Sequence, residues 1–372
     1  MKLYLKKNVF EESLERVRWL FDEFKNVVVN VSGGKDSTVV LELCLIVAKE
    51  KNRLPLKVLF VDQEAEWQGT VDMVQDIMER PEVDPYWFQM PIVLSNATSQ
   101  EDAWLHCWAE NEEDRWMRTK WHKAITKNTY GTERFKPLFK AIMEKTFPDE
   151  NVCYVLGIRG EESPARMTGI TTAETYKGET WGKKLTKDPI RINMYPIYDW
   201  SYTDVWTAIH KNQWKYNSIY NAQYCYGITI PNMRVSNVHH ETAIASLFYM
   251  QEAEPETYEK LTQRIKGVDS AGHLQLKDFI PKKLPYMFSS WKEYRDFLVD
   301  KMILDEEWKT AFKKQFKKME KYENYFYETI MKTSVAAILT NDWEGVKMED
   351  LRVSPKIYNL KRQLAREDKE CQ

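Results

Sequence analysis

Six consecutive residues, Ser32-Gly33-Gly34-Lys35-Asp36-Ser37, combine the types that bind anions. Adjacent glycines let a backbone turn tightly and come close to a ligand. The free N–H groups that open a following helix face such a ligand, and the helix dipole adds roughly 0.3–2 kcal/mol for a negative group placed there. Ser32 and Ser37 bring hydroxyl donors and Lys35 a compact positive charge. Phosphate suits this set. A plain serine-capped Gly-Gly turn is the competing reading, and it weakens when all six residues stand between a buried strand and a helix. Neither the GxxxxGK(S/T) of a Walker A loop nor the GxGxxG dinucleotide fingerprint is present.

Further candidates lie downstream. Arg159, in Gly157-Ile158-Arg159-Gly160-Glu161-Glu162, follows an apolar strand, and a guanidinium at a strand end grips phosphate or sulfate bidentately. Arg166 offers a second grip; the alternative is an ordinary surface salt bridge with Glu161 or Glu162. Asp62 ends another apolar strand, where a carboxylate contacts a ribose hydroxyl, holds Mg2+ together with Glu64, or simply caps a helix. Asp36 either braces the loop or helps hold a metal. Arg234 either closes over the phosphates or is a plain surface arginine. His239-His240 lack a third ligand nearby, which argues against a metal there.

The elements that must position these groups alternate between strand and helix. Periodicity predicts a helix over 10–25, a buried strand at 27–31, a helix over 38–49, a strand at 56–62, a helix over 70–80 and a strand over 86–94. Residues 99–135, with Trp104, Trp108, Trp116 and Trp121, read as an irregular or helical insertion. It forms a lid, a base-stacking surface or a satellite core. A helix at 135–147, strands at 152–158 and 191–197 and a helix from Ser201 to about 211 follow. Asp199 and Trp200 before that helix read as a structural corner. Beyond 237 only helices are predicted, over 239–251, 254–266, 291–303 and 306–339. The expected fold is α/β, a parallel sheet flanked by helices, with a domain at 1–236 and a mostly α-helical one at 237–372.

With 54 Lys+Arg against 56 Asp+Glu, a bulk polycation holding nucleic acid by charge alone is excluded, although a local basic patch such as Lys313-Lys314 with Lys317-Lys318 is not. The composition is that of a globular protein, not a disordered one. No run reaches the ~20 apolar residues of a membrane span, and the amino terminus has no signal-peptide pattern, so a soluble cytoplasmic protein is expected. The five cysteines, Cys44, Cys107, Cys153, Cys225 and Cys371, contain no CxxC and argue against a disulfide scaffold or a four-cysteine metal site.

Taken together, SGGKDS after Val27–Val31 resembles the PP-loop of the adenine nucleotide alpha-hydrolase-like superfamily. More narrowly, the sequence resembles phosphoadenosine phosphosulfate (PAPS) reductases and the small subunit of ATP sulfurylase. Leu59-Phe60-Val61-Asp62 is similar to that family's strand-end acid, although Gln63-Glu64 stands where its Asp-Thr-Gly is usual. Gly157 to Ser163 with Arg166 is similar to its Gly-Ile-Arg-x-x-Glu-Ser-x-x-Arg, and Pro196-Ile197-Tyr198-Asp199-Trp200 to its Pro-Ile-x-Asp-Trp. The likeness runs over about 27–235. It implies an adenine nucleotide, ATP or PAPS, on Ser32–Ser37, Asp62, Gly157, Arg159, Arg166 and Arg234.

The resemblance implies two chemistries. In one, ATP is split at the α–β bond, pyrophosphate leaves and an unknown acceptor is adenylylated, with Lys35 and Arg159 stabilising the transferring group and Mg2+ assisting. In the other, a thiol reduces PAPS. The Cys-Cys and Cys-x-x-Cys of the iron–sulfur subgroup are absent, so no iron–sulfur cluster is expected, and Lys369-Glu370-Cys371-Gln372 is only a partial echo of the Glu-Cys-Gly-(Ile or Leu)-His nucleophile segment. The helical C-terminal region resembles that of relatives carried by phages and mobile elements. These often stand beside a ParB-like protein, which implies a third reading: a nucleotide-sensing module that binds a partner protein or nucleic acid.

Overall fold

The computed structural model describes residues 6–99, 102–148, 151–162, 166–167, 170, 176–184, 191–235, 237–238, 244–269, 281–319 and 323–343. By contact the chain forms two units. One comprises Met1–Leu94, His106–Asn237 and Gln251–Thr257, the other Ser95–Leu105, Val238–Met250 and Tyr258–Gln372.

The first unit is built on a six-stranded sheet. Its strands are β1 (Asn26–Asn30), β2 (Leu56–Val61), β3 (Val83–Phe88), β6 (Val152–Leu156), β7 (Gly182–Lys184) and β8 (Arg191–Met194), in the order β3-β2-β1-β6-β8-β7. All pairs are parallel except β7 with β8. The central strands are continuous apolar runs because helices cover both faces of a parallel sheet, so every position must be apolar. Val28 and Val29 in β1 and Val155 in β6 are fully buried. Pro85 lies in β3, an edge strand, where a missing N–H costs no ladder bond.

Strand order reverses beside β1: β2 and β3 follow on one side, β6 and β8 on the other. Open parallel sheets bind ligands outside the carboxyl ends of their strands at such a switch point. The loops after β1 and β6, which carry SGGKDS and Gly157–Glu162, both start there.

Three helices frame the switch point: α1 (Val9–Glu23), α2 (Lys35–Glu50) and α3 (Gln68–Met78). The next in the chain is α4 (Phe135–Lys145). Helix α5 (Tyr202–Asn212) opens on a full capping box, in which Ser201 accepts from the Asp204 N–H and Asp204 accepts from the Ser201 N–H. The expected structural corner is present: Arg16 grips Asp199 through two bonds of 2.8 Å, and buried Trp200 donates to Ser13 Oγ at 2.8 Å. A short helix, α6 (Ile219–Cys225), follows and was not predicted.

Several boundaries differ from expectation. Helix α2 begins at Lys35 rather than 38, so half of SGGKDS is its first turn. The single strand expected over 86–94 is two, β3 and β4 (Ile92–Ser95), because Pro91 before β4 cannot donate to a ladder. The 99–135 insertion contains a short strand, β5 (Trp104–Cys107), and one 3-10 turn at Glu113–Arg115.

The second unit contains α9 (Trp291–Lys301), α10 (Glu306–Met319) and α11 (Glu323–Leu339), while α7 (Ile244–Ala253) and α8 (Pro255–Arg264) each span a boundary between units. Its core centres on stacked tryptophans. Trp308 lies 4.6 Å from Trp104 and 5.4 Å from Trp343 between ring centroids. Trp343 also donates to the Asn96 carbonyl at 2.7 Å. Among the described residues, no helix is long and apolar enough to cross a membrane.

Candidate functional site

The turn between β1 and α2 depends on its glycines. Gly33 has φ of +69°, the left-handed region that favours glycine, and a Cβ there would stand 2.8 Å from Thr70 Cγ2. Asn217, itself buried, donates to the Gly33 carbonyl and to Thr70 Oγ1, both at 3.1 Å. Ser37 closes the loop on itself: its hydroxyl donates to the Gly34 carbonyl at 2.9 Å and accepts from the Ser32 N–H at 3.2 Å. Ser32 remains exposed.

Lys35 and Asp36 form the first helical turn. Lys35 is only 5% exposed, and its ammonium donates to the Met233 carbonyl at 3.2 Å and pairs with Asp36 at 3.2 Å. The ammonium also sits 5.3 Å over the Tyr220 ring, whose hydroxyl accepts from the Lys35 N–H at 3.0 Å. Burial first, and then the charges of Arg159 and Arg234, hold the Lys35 pKa below its ordinary value against the opposing pull of Asp36.

Arg159 is 4% exposed, so its ion pairs are buried, whereas exposed Arg166 makes the surface pair with Glu162 that the alternative reading expects. Its guanidinium donates to Asp36 at 2.5 Å and to Glu161 at 3.1 Å, with Glu162 at 3.9 Å. Arg166 pairs with Glu162. Burial, followed by the charge of Arg234, lowers the Arg166 pKa. Lys35, Arg159, Arg166 and Arg234 thus share one electrostatic neighbourhood, with Asp36 at its centre. The two loops meet at Gly157. A Cβ on Gly157 would stand 2.6 Å from the Asp36 carbonyl carbon and 2.7 Å from the Ser37 nitrogen, so no other residue permits this approach.

Asp62 and Glu64 are engaged by protein donors. Asp62 is fully buried and its carboxylate already accepts from four donors: the Glu64 N–H at 2.8 Å, Trp87 and Gln89 at 2.9 Å each, and one Arg118 nitrogen that reaches both oxygens, at 2.5 and 2.7 Å. The Glu64 carboxylate, also fully buried, accepts from the Trp108 N–H at 2.6 Å and the Met117 N–H at 3.2 Å. Each oxygen of both carboxylates already has a protein donor, and Arg118 supplies Asp62 with a cation, an arrangement that holds the β2 loop in place without a ligand. Among the described residues, no group of three or more His, Cys, Asp or Glu is gathered for a metal. Burial, then the nearby Asp62 charge, pushes the Glu66 carboxyl up to about 8.

The tryptophan-rich segment is core, not a stacking surface. Trp108 is fully buried and donates to the Asp62 carbonyl at 2.9 Å, and Trp121 stacks on Trp87 at 5.3 Å. Sequence reasoning missed Arg118, Asn217, Tyr220 and Met233. The last three follow the predicted α5 and carry no motif; only the local density of tyrosines and tryptophans from 198 to 226 signals them. Cys371 and the His239-His240 pair lie outside the described residues.

Residues 26–226 match the model of the phosphoadenosine phosphosulfate reductase domain. The chain belongs to this family. Residues 227–365 of this PAPS reductase-domain protein match a domain of unknown function, DUF3440. The chain is 28% identical to the uncharacterized protein YbdN of Escherichia coli over 315 residues, covering 81% of this chain and 77% of YbdN. It is 22% identical to an adenosine 5'-phosphosulfate reductase of Lysinibacillus sphaericus over 221 residues, 58% of this chain and 77% of that enzyme. A solved FMN adenylyltransferase of Candida glabrata aligns with a TM-score of 0.35 at 13% identity, over 59% of this chain and 64% of that one, so the match spans less than two thirds of its length.

Proposed function

We propose that this protein binds an adenine nucleotide with its phosphates on Ser32–Ser37 and splits ATP at the α–β bond, releasing pyrophosphate and adenylylating an acceptor. The observation that carries this reading is the gathering of Lys35, Arg159, Arg166 and Arg234 at the amino end of α2, on the switch point of the sheet. Four cations gather there with the carboxylates of Asp36, Glu161 and Glu162, and a polyphosphate is the anion with enough charges to engage several of them at once.

An acceptor oxygen attacks the α-phosphorus, the bond from that phosphorus to the bridging oxygen breaks, and pyrophosphate leaves with the electron pair. Lys35 and Arg159 stabilise the charge on the transferring group. Held in place before reaction, they need no reorganisation at the transition state. Arg166 and Arg234, at the open side, neutralise the outgoing phosphates. Gly157 keeps the two loops in register. The residues of this chemistry all lie in the first unit.

The test is incubation with ATP and Mg2+ followed by pyrophosphate measurement across candidate acceptors. Pyrophosphate release that disappears in Lys35→Ala and Gly34→Val supports the proposal. Release of inorganic phosphate alone, or unchanged ATP affinity in both variants, overturns it.

A second reading, reduction of a sulfonucleotide, draws on the family match and on the adenosine 5'-phosphosulfate reductase relative. Among the described cysteines only Cys225 is exposed, and this reading places the thiol on Cys371 because Glu370-Cys371 partly matches the family's nucleophile segment. Sulfite release from PAPS with thioredoxin, lost in Cys371→Ser, is its signature; no sulfite from the wild-type protein ends it.

A further inference from the structure

Next to the phosphate loop, within the first unit, is a cavity of about 350 Å³ that none of the loop motifs explains. Five aromatic side chains line it: Tyr202, Trp206, Tyr216, Tyr220 and Tyr224. Trp206 meets Tyr216 and Tyr220 edge to face, at 5.4 and 5.2 Å with interplanar angles of 90° and 89°. Two wall residues also touch the loop: the Tyr220 hydroxyl accepts from the Lys35 N–H, and the Met233 carbonyl accepts from the Lys35 ammonium. The cavity and the cation cluster are therefore one side chain apart.

Two observations point to an occupant. Tyr224 and Ile230 in the wall are 67% and 41% exposed, so together with the other wall aromatics they leave a contiguous apolar surface open to solvent. The Trp206 indole N–H is buried without a hydrogen-bond partner. Among the described residues the wall otherwise offers only neutral groups, including Thr203, Thr207 and Asn221, and no Asp, Glu, His, Lys or Arg.

We propose that this cavity is the acceptor site, and that the acceptor is a planar aromatic ring system carrying its own phosphate or carboxylate. This rests on the adenylyl-transfer reading above. The ring stacks among the tyrosines and Trp206, and aromatic stacking of this kind is strong enough for about tenfold or more in affinity. No wall side chain serves as a base at neutral pH, and burial raises the Tyr220 hydroxyl further out of that range. The nucleophile is therefore an oxygen already ionised, directed to the neighbouring cations. It forms the new bond to the α-phosphorus, pyrophosphate departs with the electron pair of the broken bond, and no proton has to move.

The experiment measures binding of 1-naphthyl phosphate, methyl phosphate and ATP to the full chain by calorimetry. The variants are Thr207→Trp, which fills the cavity from an exposed helix position, and Tyr224→Ser at its rim. Expected are naphthyl phosphate at least tenfold tighter than methyl phosphate, loss of that advantage in both variants, and ATP affinity unchanged. Naphthyl and methyl phosphate binding equally to a wild-type protein that binds ATP overturns the acceptor site and leaves the phosphate-loop reading intact. A Thr207→Trp protein that loses ATP as strongly as the naphthyl probe also overturns it, assigning the cavity to the adenine. A wild-type protein that binds naphthyl phosphate tightly but not ATP overturns the adenylyl-transfer reading, and with it the acceptor role.

Discussion

Two corners of the same sheet edge treat charge in opposite ways. After β2, Asp62 and Glu64 are wholly buried and every oxygen is matched by Arg118, Trp87, Gln89 or a backbone N–H. After β1 and β6, four cations face three carboxylates, and Ser32 and Arg234 stay open to solvent. Donors and acceptors matched inside the fold build structure; on the proposed reading, cations gathered beside exposed Ser32 and Arg234 are placed for a ligand. Both corners begin with a polar residue at the end of an apolar strand, so position alone does not separate them. Satisfaction of the side chain does.

The contrast can be broken most forcefully at Arg118. Arg118→Met leaves the Asp62 carboxylate buried without its cation, and loss of about 3–5 kcal/mol in urea unfolding is expected. A loss under 1 kcal/mol would mean that the β2 corner is not the anchor. Gly157→Ala comes next, because its Cβ meets backbone, which cannot swing aside. About 1–3 kcal/mol of stability is expected to go, together with nucleotide affinity. Wild-type ATP binding in that variant would detach the β6 loop from the site. Lys35→Met separates binding from folding. The ammonium is buried at a desolvation cost, so an apolar replacement should hold the melting temperature while ATP affinity falls about 10–100-fold. A lowered melting temperature with unchanged affinity would make Lys35 structural, like the acids of the other corner.

The smallest effect is a slope. Glu66 titrates at about 8 in the folded protein, above its ordinary value of 4.5. A carboxyl with a raised folded pKa keeps its proton longer when folded, so stability is full below about 4.5 and is lost as pH rises towards 8, by up to about 1.4 kcal/mol per pH unit. Glu66→Gln should flatten unfolding free energy across that window; an unchanged slope would show that another group carries it.

What could be read from sequence was local. SGGKDS and the Gly157–Glu162 run lie within single turns, so residue type and order disclose their chemistry, and the valine-rich β1 announces its own burial. The partners of Asp62 come from 25, 27 and 56 residues away. Nothing in the spelling of Asp62-Gln63-Glu64 says that Arg118 will supply the cation. The tyrosines of α5 and α6 were opaque for a different reason. Aromatic residues at helical spacing look alike whether they build a core or line a cavity, and only the fold distinguishes the two.

Asp36 has one more consequence. It pairs with both Lys35 and Arg159, and so competes with any anion that reaches them. A singly charged anion only duplicates what the carboxylate already gives these cations and gains little by entering. A guest with several charges on adjacent groups engages Lys35, Arg159 and the outer arginines at once and outweighs the incumbent. On the proposed reading the site is thereby a threshold device, expected to ignore chloride or acetate and to respond to chains of phosphate.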